Sequence, residues 1–192
     1  MGKEFELKYK ADPELLDTLQ SRYGGFHTIR METAYFDTED RQLGQRRWTL
    51  RRRMENDRSV CCLKTPGTNL IRGEWETEAD SMEEGLKGLC AMDVPEEFPT
   101  LIRGGLHQVC GARFTRRAAE VACGSGVVEI ALDQGVFLGG GREQPFSELE
   151  IEQKTCTRQE TEAFGQALEA IFGLETETVS KFERALALSR EV

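Results

Sequence analysis

Histidine is scarce in this 192-residue chain, and the two present, His27 and His107, stand far apart without other ligand types beside them, which argues against a zinc centre. No hydrophobic run approaches the roughly 20 residues that a membrane-spanning helix requires. The opening Met1-Gly2-Lys3-Glu4 carries no apolar leader, and Glu6 rules out a myristoylation signal at Gly2. A cytoplasmic protein with no membrane partner is expected. The six cysteines, Cys61, Cys62, Cys90, Cys110, Cys123 and Cys156, lack any C-x-x-C spacing and read as buried free thiols of a reducing compartment. Positive charge is also in deficit, 25 Lys and Arg against 34 Asp and Glu for a formal net charge of −9, which disfavours generic nucleic-acid binding. The Gly139-Gly140-Gly141 run is not followed by the Lys-Ser/Thr of a P-loop, and no repeat of solenoid length is visible.

What is present is a globular composition, 39% hydrophobic and 31% charged, in a length that suits one domain over residues 1–192. Within the acidic chain six arginines fall between Arg41 and Arg53, with no acid after Asp40 until Glu55. A basic site inside an acidic protein points to a small, highly anionic ligand.

Alternation carries most of the information. In Glu4-Phe5-Glu6-Leu7-Lys8 the charged residues share one face of a strand, and Phe5, Leu7 and Tyr9 share the other. Glu148-Leu149-Glu150-Ile151-Glu152 repeats the pattern with carboxylates; Arg51 and Arg53 repeat it with guanidiniums, facing away from Trp48, Leu50 and Arg52. Arg72-Gly73-Glu74-Trp75-Glu76 and Val128-Glu129-Ile130-Ala131-Leu132-Asp133 add further acids on one side. The charged face therefore collects Glu4, Glu6, Glu74, Glu76, Glu129, Asp133, Glu148, Glu150 and Glu152 with Lys8, Arg51, Arg53, Lys64, Arg72 and either Arg116 or Arg117. Buried without partners, so many ions would be prohibitively costly. The expectation is an α+β fold: a barrel with a wet, polar tunnel inside. Carboxylates alone repel phosphate, and divalent cations reconcile the two signs; ligation by oxygen alone suits Mg²⁺ or Mn²⁺.

Between the strands, Asp12-Pro13-Glu14 predicts a helix running to about Tyr23, and Thr157-x-x-Glu160 and Ser180-Lys181-Phe182-Glu183 are capping boxes that open two late helices. Strands are expected over 28–37, 46–54, 58–64, 114–122, 127–133 and 147–154, with two short helices in 81–106 and a glycine hairpin at 139–142.

These residues resemble the CYTH superfamily, the triphosphate tunnel metalloenzymes, across nearly the whole chain. The resemblance rests on Glu4-x-Glu6-x-Lys8, Tyr35-Phe36-Asp37, Leu50-Arg51-x-Arg53, Lys64, Arg72-Gly73-Glu74-Trp75-Glu76, Glu129 to Gly135, Glu148 to Glu152, and Ser180 to Arg184. It implies an eight-stranded antiparallel β-barrel tunnel with helices outside, hydrolysing a triphosphate with Mg²⁺ or Mn²⁺. Lys8, Arg51, Arg53 and Lys64 would hold phosphate oxygens, joined by Arg72, by Arg116 or Arg117, and by Lys181 at the tunnel mouth. Glu4, Glu6, Glu148 and Glu150 would bind metal, with Asp133 or Glu152 assisting, and Glu4 or Glu6 would take the proton of water. The strands at 129–133 and 148–152 look most like the bacterial inorganic triphosphatase branch, whose substrate is inorganic tripolyphosphate. Thiamine triphosphate is the nearest alternative. The His-Phe pair that marks class IV adenylate cyclases has no counterpart before Glu4, and a non-catalytic polyphosphate- or nucleotide-binding module would not need both acidic clusters. A monomer or homodimer is expected.

Overall fold

In the computed structural model, which describes residues 5–66 and 73–190, the alternating segments form one antiparallel sheet. Its strands are β1 (Glu6–Lys10), β2 (His27–Asp37), β3 (Thr49–Glu55), β4 (Arg58–Thr65), β5 (Gly73–Glu78), β6 (His107–Cys123), β7 (Gly126–Gly139) and β8 (Arg142–Gln153). They lie in the order β1-β8-β7-β6-β2-β3-β4-β5, each antiparallel to its neighbours. The expected eight-stranded antiparallel tunnel architecture is present, although among the described residues no ladder joins β1 to β5.

The helices are α1 (Pro13–Tyr23), α2 (Gln42–Gln45), α3 (Met82–Cys90), α4 (Phe98–Leu101), α5 (Arg158–Phe172) and α6 (Lys181–Arg190). Their starts follow local chemistry. Asp12 Oδ1 accepts the Leu15 amide at 2.8 Å ahead of Pro13. Thr157 Oγ1 accepts the Glu160 amide while Glu160 Oε2 accepts the Thr157 amide, at 3.2 and 2.7 Å, and Ser180 and Glu183 exchange the same pair of bonds at 3.1 and 3.0 Å. Each exchange satisfies amides that a first helical turn leaves without acceptors.

The apolar face of the sheet is covered in two places. Tyr9, Ile130, Leu132, Leu149 and Ile151 pack beneath α1 and α5, and Trp48, Leu50 and Leu63 pack with Leu89 of α3 and Phe98 of α4. Trp48 and Trp75, read as facing away from the tunnel, belong to this second cluster. Among the described residues no helix is long and apolar enough to cross a membrane.

Helix α6 departs from the expectation of helices outside. It lies on the charged face, where Ala185 and Leu188 are buried with Tyr35, Phe114, Phe137 and Phe146. Those aromatics continue the same alternation as Arg116, Asp133 and Glu148, so one end of the inner face is apolar and takes a helix. Gly139 makes the approach possible: a Cβ there would stand 2.5 Å from the Ala185 carbonyl oxygen and 2.8 Å from the Ser189 nitrogen.

Three further expectations are revised. Residues 46–48 are not strand, because the buried Asp37 carboxylate gathers the amides of Thr38, Leu43 and Gly44 and folds a helical turn there. Strands β6, β7 and β8 are longer than their patterns announce. The glycine hairpin is tight, with Gly139 paired to Arg142 and both Gly140 (φ 57°) and Gly141 (φ 73°) in the left-handed region. Cysteines 61, 62, 110, 123 and 156 are free and buried as read, but Cys90, at the end of α3, is exposed.

Candidate active site

The register of the sheet assembles the charged face. Asp133 of β7 pairs with Glu148 of β8 and with Arg116 of β6; Lys8 of β1 pairs with Glu150, and Glu6 with Glu152. Directly paired residues point to the same side. Asp133 and Glu148 are fully buried, and these two carboxylates and that of Glu150 can each present an oxygen within 4.8 Å of the others.

Cations close this acidic cluster. Arg116 makes a two-pronged contact with Asp133 at 2.8 and 2.7 Å and a further bond to Glu150. The Nζ of Lys181, at the start of α6, lies 2.9 Å from Asp133 and 2.6 Å from Glu150 and also bonds Glu148. Arg184, one turn further along α6, bonds Glu148 and stacks over the Phe137 ring at 4.7 Å. Burial opposes ionisation of Glu150, but the charges of Lys181 and Arg116 outweigh it and hold its carboxyl well below the usual range. Glu148 goes the other way: burial, with Glu150 adjacent, raises it despite Lys181 and Arg184. Lys181 itself is held above the ordinary lysine range, because Glu150, Asp133 and Glu148 more than offset its burial.

The opposite half of the face is basic. Tyr35 of β2 pairs with Arg51 and Thr33 with Arg53, while Lys64 of β4 sits 3.0 Å from Glu74. Arg51 lies 4.0 Å from Glu74 and 3.8 Å from Glu76, and Arg53 bonds Glu55. The Nε atoms of Arg51 and Arg53 are buried with no hydrogen-bond acceptor among the described residues. Burial and the like charge of Arg51 push Arg53 below the ordinary arginine range, with Arg116 contributing from across the tunnel. Cys62, between these groups, has its thiol pushed up to about 12, mainly by burial, and is a neutral wall residue.

Most of the residues read from sequence converge here: Glu6, Lys8, Arg51, Arg53, Lys64, Glu74, Glu76, Arg116, Asp133, Glu148, Glu150 and Lys181. Glu4 and Arg72 lie outside the described residues. Arg117 is a correction. As the odd neighbour of Arg116 it projects through the other face of β6 and bonds Asp17 and Gln20 of α1. Glu129 and Glu152 share the tunnel face but stand a rung beyond the acidic cluster, at 3.8 and 2.8 Å from Lys154. Sequence reasoning assigned no role to Arg184, Cys62 or Glu55. Arg184 had a usable signal, its i+3 spacing from Lys181 on one helix.

Fold and site together define a tunnel protein with clustered, mutually paired acids and bases on one inner face. The chain belongs to the CYTH domain family, whose family model matches residues 2–186. It is similar to the inorganic triphosphatase of Haemophilus influenzae, with 26% identity over 204 residues covering 98% of this chain and 55% of that protein. The chain thus spans about half the length of that relative. Among solved structures it resembles a Pyrococcus horikoshii protein (TM-score 0.63, 25% identity, 96% of this chain and 98% of that one). A Hippeastrum protein described as an adenylyl cyclase candidate with a dominant triphosphatase activity shares the fold (TM-score 0.66, 18% identity, 98% and 95% covered).

Proposed function

We propose that this chain is a metal-dependent hydrolase that splits inorganic tripolyphosphate into pyrophosphate and phosphate. The observation that carries the reading is the pair of buried Nε atoms of Arg51 and Arg53, without acceptors among the described residues, on the same face as the cluster of Asp133, Glu148 and Glu150. Guanidinium forks recognise phosphate oxygens in pairs, and two of them on alternate residues of one strand suit a chain of phosphates. The name of the Haemophilus influenzae relative supports the substrate class.

Magnesium or manganese fits the acidic half, since Asp133, Glu148 and Glu150 offer only hard oxygen donors close enough to converge on one ion. Glu6 and Glu152, paired on the next rung, are further donors. Asp133, Glu148 and Glu150 would hold the ion, which would supply positive charge to offset that of the phosphoryl group in transfer. The chain's own groups do the remaining work. Arg51, Arg53 and Lys64 hold the phosphates from one side and Lys8 from the other, fixing the terminal phosphorus in line with an attacking water. A β1 carboxylate, Glu6 in the described part of the strand, accepts the water proton as the new P–O bond forms. The bond to the bridging oxygen breaks, and pyrophosphate leaves with its charge held by the arginines.

The test is phosphate release from tripolyphosphate, ATP and thiamine triphosphate, with Mg²⁺, Mn²⁺ or EDTA, in the wild type and Arg51→Ala. The expected result is fastest release from tripolyphosphate, abolished by EDTA, with kcat/KM lower by about 10²–10³ in the variant, the usual cost of one charge-stabilising donor. Faster turnover of an organic triphosphate would move the substrate assignment. Tight tripolyphosphate binding with no release from any substrate would sink the hydrolase reading and leave a binding module.

A further inference from the structure

Among the described residues the acidic cluster is already matched by cations, one of them shared with Glu177. Asp133, Glu148 and Glu150 supply three negative charges, and Arg116, Lys181 and Arg184 supply three positive ones in direct contact with them. The side chain of Lys181 is 12% exposed, and those of Asp133 and Glu148 are not exposed at all. A divalent cation added to this arrangement would lie beside three protein cations in a buried space, which is strongly unfavourable. Loading an ion therefore requires that protein cations leave.

The three candidates for departure are not equivalent. Arg116 springs from the middle of β6, paired on both sides, with its fork on Asp133 and a second bond to Glu150. Arg184 is held between Glu148 and Glu177 and lies over the Phe137 ring. Lys181 is the first residue of α6 and ends in a compact ammonium on a flexible four-carbon stem. Among the described residues its Nζ is also the one cationic atom within ion-pair distance of all three carboxylates, the position at which a single ion would meet the same oxygens.

We infer that Lys181 is a stand-in for the divalent cation: its ammonium fills the ion's position in the metal-free protein and is displaced when the ion binds. The inference rests on the proposed metal dependence of the site. Displacement has a direction, because Tyr35 pairs with Arg51 of β3 while its ring lies 5.0 Å from that of Phe182, the neighbour of Lys181, and so links the two halves of the face. A short swing of the lysine stem past Tyr35 turns the ammonium toward the phosphates. Lys181 is thereby released to the substrate only after the ion is in place, which orders the two binding events.

The test measures Mn²⁺ binding by electron paramagnetic resonance without substrate, in the wild type, Lys181→Met, Lys181→Gln and Glu148→Gln. Removing the competing ammonium is expected to raise Mn²⁺ affinity at least tenfold in both Lys181 variants, while Glu148→Gln weakens it and so locates the ion. The same Lys181 variants should unfold at lower temperature than wild type in EDTA and gain more from added Mn²⁺. Unchanged or weaker Mn²⁺ binding in the Lys181 variants, or no binding in any form of the protein, overturns the inference. Amide hydrogen exchange on the wild type tests it without any substitution. Exchange over residues 181–184 should quicken on adding Mn²⁺, and unchanged or slower exchange refutes displacement. Neither readout depends on turnover, so failure of the hydrolase reading would leave both results interpretable.

Discussion

Replacing Arg116 by methionine keeps most of the side-chain length and deletes the guanidinium that grips Asp133 at 2.8 and 2.7 Å and also bonds Glu150. Asp133 is fully buried, so its carboxylate cannot turn to water when the fork is gone and keeps only Lys181, 2.9 Å away, as a cationic partner among the described residues. Removing one partner of a buried ion pair costs about 3–5 kcal/mol. In a chain of this size each kcal/mol lowers the melting temperature by about 2–4 °C, so Arg116→Met should melt roughly 6–20 °C below wild type in EDTA. The acid limb of stability should move as well. The Glu150 carboxyl is held well below its usual range because Lys181 and Arg116 outweigh its burial. Its contribution is therefore present above the ordinary carboxylate range and lost as pH falls through the depressed value. Without Arg116 that loss begins at higher pH. Thermal unfolding followed by circular dichroism from pH 3 to 8, with Arg116→Met/Asp133→Leu beside the single variant, checks both parts. The double variant should recover much of the loss, since no buried carboxylate deprived of its arginine fork remains at 133. A single-variant loss below about 1 kcal/mol, less than the cost of a stranded buried charge, or a double variant no better than the single, would refute the reasoning.

Two further perturbations address the helices. Gly139→Ala would drive a methyl group into the backbone of α6, 2.5 Å from the Ala185 oxygen, and should cost about 1–3 kcal/mol in chemical denaturation with faster hydrogen exchange in α6; an unchanged midpoint would show that α6 is not seated as described. Thr157→Ala removes the cap of α5 and should cost about 1 kcal/mol. The Glu160 carboxyl is depressed to about 2, first by the Thr157 amide and then by the Thr157 hydroxyl and the Ser125 amide. Its folded value lies below the unfolded one, so the wild-type cap is at full strength above the ordinary carboxylate range and fades as pH falls toward 2. The gap between wild type and Thr157→Ala should therefore narrow in acid as the hydroxyl's bond to the carboxylate is lost, without closing, since the hydroxyl also accepts the Glu160 amide; a gap that stays constant down to pH 2 would contradict the assignment.

Several features of this protein are local properties of the chain and so could be read from it directly. Alternation in Glu148-Leu149-Glu150-Ile151-Glu152 and in Arg51-Arg52-Arg53 sets which side chains share a face, because a strand has a period of two wherever it sits. The boxes Thr157–Glu160 and Ser180–Glu183 close within one turn and need nothing beyond their own residues. The tight glycine hairpin at 139–142 is equally local. On these, an eight-stranded fold with a charged face and a set of acids and bases could be expected.

What escaped the sequence was decided by contact between distant segments. Arg116 and Arg117 are chemically identical neighbours, and only the pairing of β6 with β7 sets Arg116 opposite Asp133 and sends Arg117 to α1. Residues 107–113 show no alternation, yet they are strand because β6 has β7 and β2 as partners and its backbone groups must be satisfied there. The inner face changes from charged to aromatic along its length, and Phe114, Phe137 and Phe146 come from three strands, so the apolar seat that draws α6 into the tunnel exists only once the sheet is assembled. That docking takes Lys181, an ordinary first-turn lysine by sequence, to the centre of three buried carboxylates. The sequence by itself determined which faces would be charged and where helices begin, since those follow from period and capping within a few residues. Only the tertiary structure decided which charges meet, because a contact between residues 133, 148 and 181 depends on sheet register and helix docking, which no local pattern encodes.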